Sequence, residues 1–135
     1  MALVYRVLNS KGSGMYQGGF YFDACTDEDG RADKAAHTAH IQPNPHGDSE
    51  LRDKWCDLDY EVRSELLFGF SSLEQLQCWI HKHTWRKKMN ELGGKIAVFE
   101  VPDAHLLTGE CQVVFNPQAV THLHNLNVET FEVLQ

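Results

Sequence analysis

The sequence predicts an α+β domain with a mixed or split sheet and one or two helices, on three observations. The opening residues alternate with a period of two. The middle of the chain carries an apolar stripe at helical spacing that stops at a glycine pair. After that pair the pattern breaks into short β-type runs. At 135 residues with 42% hydrophobic side chains, residues 1–135 fill one domain around one core and leave no room for a second.

Taken in order, Ala2 to Asn9 reads as a strand, with Leu3, Tyr5 and Val7 pointing one way and Val4, Arg6 and Leu8 the other. A glycine-rich segment around Met15 and Tyr16 follows, suited to close backbone approach to a ligand, and Gly19 to Phe22 reads as a short extended piece. Asp23 to Ser49 lacks sustained apolar periodicity and is predicted as a long loop, pinned by a helical turn over Ser49 to Asp57. Leu66 to Phe70 reads as a brief buried strand. Ser71-Ser72-Leu73-Glu74 then has the form of a capping box in which Glu74 reaches back to a free N–H. Leu73, Leu76, Trp79 and Ile80 give the helix its apolar face. A second stretch with Trp85, Met89 and Leu92 follows, separated at Thr84 and closed by Gly93-Gly94. The remaining strands are predicted at Lys95 to Val101, Glu110 to Phe115, Val120 to Leu123 and Val128 to Val133.

Composition excludes several classes of function. A net charge of −7 repels phosphate backbones and acidic membranes, so nucleic acid is not an expected partner. No apolar run approaches the ~20 residues of a membrane helix, and no signal peptide is legible at the start. The four cysteines show no Cys-x-x-Cys pair and a core this size needs no staples, so reduced thiols in a cytoplasmic protein are expected.

Three places carry possible chemistry. Arg6 shares a face with Val4 and Leu8, so it either clamps an anion or packs its stem at a strand edge. Phe70-Ser71-Ser72 joins a strand to a helix start, where hydroxyls and free N–H groups either hold a polar ligand or simply cap. Glu110 and Gln112, two apart at the start of a strand, either reach into a cleft or face solvent.

An arginine on the first strand, an aromatic-hydroxyl-hydroxyl junction and a late Glu-x-Gln, in that order, resemble the arginine-serine-glutamate class of ADP-ribosyltransferases. Val114 to Val120 is similar to the strand-turn-strand after the catalytic strand in the poly-ADP-ribose polymerase branch. The opening Val4-Tyr5-Arg6-Val7 and its glycine-rich continuation also resemble small phage proteins. The resemblance implies an ADP-ribosyltransferase-like core and NAD as the substrate cofactor. It implies that Arg6 contacts the NAD phosphates or ribose, that Ser71 or Ser72 orients the nicotinamide, and that Tyr16, Tyr21 or Phe70 stacks on it. Gln112 would stand in the place of the catalytic glutamate, with Glu110 as the substitute carboxylate. Because a neutral amide cannot stabilise an oxocarbenium-like state as a carboxylate does, the departure at Gln112 weakens the catalytic reading. The implied function is mono-ADP-ribosylation of a host or defence protein in the host cytoplasm, that target being the partner. The alternative is a non-enzymatic protein- or nucleotide-binding module, such as a phage inhibitor, on the same fold with a degenerate active site.

No metal is expected. His37, His40, His46, His122 and His124 show no complete ligand spacing, although a hydrolase using the last four is a third reading. Lys82, Arg86, Lys87 and Lys88 flank Trp85 in the one basic cluster, read as the solvated face of a helix in preference to an RNA-stacking surface.

Overall fold

Strand alternation at the start of the chain produces β1 (Ala2–Leu8), and the computed structural model places this strand where two sheets meet. The structure describes residues 1–15, 19–25 and 48–134. Along the chain follow α1 (Phe20–Ala24), α2 (Ser49–Cys56), α3 (Tyr60–Glu65), β2 (Leu67–Gly69), α4 (Leu73–Trp79) and α5 (His83–Glu91). Then come β3 (Lys95–Val101), β4 (Leu106–Thr108), β5 (Val113–Phe115) and β6 (Thr121–Leu126). Two three-stranded antiparallel sheets result, ordered β1-β3-β6 and β2-β5-β4. The α+β class therefore holds. The helical part is larger than expected, with five short helices among the described residues.

The two faces of β1 serve different layers. Val7, with Ile96 and Val98 of β3 and Leu126 of β6, packs against Phe20, Tyr21, Leu76, Trp79, Trp85 and Met89 from three helices. Val4 and Val101 point the other way and pack with Val113 and Phe115 of the second sheet. On the far side of that second sheet, Trp55 of α2 lies against Phe68, ring centroids 5.5 Å apart. The order is helices, sheet, sheet, helix, and the alternating strands β1 and β3 bury residues on both sides.

The sheets are joined at one point. Tyr5 and Phe70 exchange two backbone hydrogen bonds of 2.8 Å, N–H to carbonyl in each direction. This makes β2 the neighbour of β1 at its end and of β5 along its length. The close approach requires Gly69, where a Cβ would stand 2.6 Å from Val4 Cγ1 and 3.0 Å from the Tyr5 carbonyl oxygen.

Several local departures from the sequence reading have identifiable causes. Gly19 to Phe22 is not extended: Phe20, Tyr21 and Ala24 are buried on one side of α1, a spacing too short to separate the two periods by sequence. The break between α4 and α5 falls at 80–82 and not at Thr84. Gly93 closes α5 as expected, its φ of 84° letting Gly94 N–H reach the Met89 carbonyl at 2.8 Å. Val128 to Val133 is a turn and not a strand, because Asn127 Oδ1 accepts from Glu129 N–H and Thr130 N–H and folds the chain back. Of the predicted loop Asp23 to Ser49, residues 26–47 lie outside the described residues.

Gly69→Ala inserts a methyl group between Val4 and the β1 backbone. We expect a loss of about 2 kcal/mol in urea unfolding with an unchanged slope. An unaltered midpoint would show that the sheets have room at their junction.

Candidate functional site

The start of α4 is built by its own side chains. Ser72, the N-cap, accepts the Gln75 N–H on its hydroxyl at 3.1 Å, and Gln75 Oε1 reaches back to accept the Ser71 N–H at 2.8 Å. The expected capping box exists but is shifted by one residue: Ser72 and Gln75 form it, leaving Glu74 exposed. The other end of the Gln75 amide donates from Nε2 to the Glu110 carbonyl at 3.1 Å, tying the helix start to the turn between β4 and β5.

That turn, residues 109–112, is where sequence expected a strand. Strand β5 begins only at Val113, and Gly109 N–H donates to the Gln112 carbonyl at 2.9 Å to close the hairpin. The reason lies outside the segment. Asp48, 1% exposed, accepts the N–H groups of Leu51 and Glu110 on Oδ1 at 3.1 and 3.0 Å and that of Cys111 on Oδ2 at 2.9 Å. One carboxylate thus caps α2 and pulls the Glu110–Cys111 backbone out of extended pairing. Gly109 leaves space for it, since a Cβ there would press on Asp48, Leu51 and the Gln112 carbonyl. Burial pushes the Asp48 carboxyl up, but the N–H groups of Cys111, Glu110, Leu51 and Glu50 outweigh it and hold the pKa below the usual carboxylate range. Nothing in the local pattern around Asp48 marks this role, apart from an acid one residue before a helix start.

Between the α4 start and the turn lies an open crevice of roughly 520 Å³, lined by Ser71, Ser72, Glu74, Gln75, Cys78, Trp79, Glu110 and Cys111. Three of the sequence-predicted residues, Ser71, Ser72 and Glu110, therefore share one wall system. Phe70 lies just behind it, buried edge-on against Trp79 with centroids 5.4 Å apart, so its ring is committed to the core.

The others are elsewhere. Gln112 is buried and contributes nothing to the crevice lining. Arg6 donates from Nη1 to the Phe68 carbonyl at 2.6 Å, where β1 parts from β2, and its guanidinium rests against Gly14. Burial lowers the Arg6 pKa. No acidic partner of Arg6 occurs among the described residues. Tyr21 is 1% exposed in the core, and Tyr16 lies outside the described residues.

The remaining histidine and basic clusters do not form sites among the described residues. No three His, Cys, Asp or Glu side chains there are grouped as metal ligands would be, and His37, His40 and His46 lie outside the described residues. His122 Nε2 is 2.8 Å from Asn125 Oδ1. Trp85 is fully buried with Lys82 Nζ 5.2 Å from its ring centre, so it offers no face to a base. No helix among the described residues is long and apolar enough to cross a membrane.

Fold and crevice define a small α+β domain with an open surface crevice, one wall of which is held by a buried carboxylate. A family model for the bacteriophage T4 Y00F protein matches residues 1–129, so the chain belongs to that phage protein family. Searches of curated proteins and of solved structures find no match.

Asp48→Ala leaves the Leu51, Glu110 and Cys111 N–H groups without their acceptor and should cost about 3 kcal/mol at neutral pH. The folded Asp48 carboxyl titrates below its unfolded value of ~3.9, so its contribution is complete above that pH and is lost as pH falls through the folded value. Urea unfolding of both proteins should therefore show the gap narrowing below pH ~4. A gap that is small at neutral pH, or constant into acid, contradicts this role.

Proposed function

We propose that this phage-family domain is a non-enzymatic protein-binding module whose crevice receives a basic side chain of a target protein. The observation that carries the reading is the crevice's charge. Glu74 and Glu110 stand on its walls, and no Lys, Arg or His lines it among the described residues. Such a site attracts a cation and repels a pyrophosphate, and the overall charge of −7 extends the same field over the approach. The two groups a dinucleotide transferase needs are both engaged away from it: Arg6 on the Phe68 carbonyl, Gln112 in the interior. An inhibitor of a host or defence protein fits a domain of this size.

A second reading is mono-ADP-ribosyl transfer from NAD on an ADP-ribosyltransferase-like fold. It is favoured by the neighbourhood of β1, β2 and β5 and by Ser71, Ser72 and Glu110 meeting at one crevice. Positively charged nicotinamide suits two carboxylates, and Glu110 would then be the group that stabilises the oxocarbenium-like state.

Titration of the isotopically labelled protein with an arginine-rich peptide, and separately with NAD, tests the two. The first reading expects salt-sensitive amide shifts at Ser71, Cys78 and Glu110 with the peptide, reduced at least about tenfold in affinity in a Glu74→Gln/Glu110→Gln variant. It also expects no label transfer from NAD to host lysate. Transfer that Glu110→Gln abolishes would establish the second reading and overturn the first.

A further inference from the structure

Two thiols also line this crevice. Cys78 is exposed on α4 and Cys111 is partly buried in the β4–β5 turn. Their elements are already tied together, because Gln75 Nε2 donates to the Glu110 carbonyl at 3.1 Å. Cys78 lies three residues beyond Gln75, on the same face of α4 one turn along, and Cys111 directly follows Glu110. The turn cannot swing away from the helix, since Asp48 also grips the Glu110 and Cys111 N–H groups. Each cysteine is thus presented to the same small space from opposite walls.

We propose that Cys78 and Cys111 form a thiol pair that closes into a disulfide on exposure to a hydroperoxide, covalently joining the two walls of the crevice. The roles follow from their surroundings. Burial, then the charges of Asp48 and Glu110, disfavour the Cys111 thiolate, so Cys111 is the poorer first nucleophile. The exposed Cys78 sulfur attacks a peroxide oxygen, the O–O bond breaks, and Cys78 becomes a sulfenic acid as the first water (or an alcohol, from an organic peroxide) leaves. The Cys111 sulfur then attacks the Cys78 sulfur, the S–O bond breaks, and the hydroxyl leaves with the Cys111 proton as water. Two thiols are oxidised and one peroxide is reduced.

Closure would narrow the crevice while leaving both sheets untouched, so oxidation would govern access to it. The pairing itself does not rest on what the crevice binds, and its test uses no ligand. The full-length protein is treated with hydrogen peroxide, and its intact mass, free thiols and cysteine linkage are read by mass spectrometry of peptides. The expected result is a product lighter by two hydrogens, linked Cys78 to Cys111 and reversed by dithiothreitol. Cys78→Ser, an exposed substitution that leaves the core intact, should abolish it. Cys111→Ser should stop at an oxidised Cys78 with no internal link. A link to Cys56 or Cys25, a link only between molecules, or over-oxidation of Cys78 in the wild-type chain would each overturn the proposal.

Discussion

The buried carboxylate of Asp48 is the constraint on which the functional half of the molecule depends. An ionised group at 1% exposure is tolerated only where its oxygens are saturated, and here the donors come from two elements far apart in sequence. The same charge sits at the amino end of α2, where the helix dipole favours it. Lys54 of that helix donates to the Thr108 carbonyl at 3.0 Å, a second and exposed tie to the same hairpin. Without these ties, residues 109–112 would have the option of continuing the β4–β5 ladder, and the crevice would lose one wall.

The layers of the fold were legible in the sequence wherever a long, clean period met a definite stop. The opening alternation, the apolar stripe through Trp85 and Met89, the Gly93-Gly94 ending and the run Lys95 to Val101 all appear where expected. What was illegible depended on partners remote in the chain or on side chains bonding locally to backbone. Strand β4 has three residues and exists because it pairs with β5. Helix α3 buries no residue and so has no apolar stripe to read. Asn127 turns the chain with its side-chain oxygen in a segment whose composition favours a strand.

The site was legible in part, for the same reason. Ser71 and Ser72 follow from a strand-to-helix junction, which is a local pattern, and Glu110 meets them because β2 pairs with β5. Extended backbone would set Gln112 beside Glu110, but Asp48, more than 60 residues away, bends the chain there. Arg6, a charge on an apolar face, calls for a partner. The partner the structure supplies is a carbonyl left open where β1 leaves β2, so the guanidinium finishes a ladder that the backbone abandons.

The position of β1 also bears on how the chain is made. Its register runs from Ala2 opposite Val101 to Leu8 opposite Lys95, and among the described residues its other bridges are a local one from Leu8 to Gly14 and a distant one from Tyr5 to Phe70. On a ribosome, β1 is therefore made well before its ladder partner β3 and waits for residues 95–101 to emerge. Through that interval Leu3, Val4, Tyr5 and Val7 belong to an unpaired apolar run of the kind that favours aggregation, and Arg6 is the one charged side chain that interrupts it.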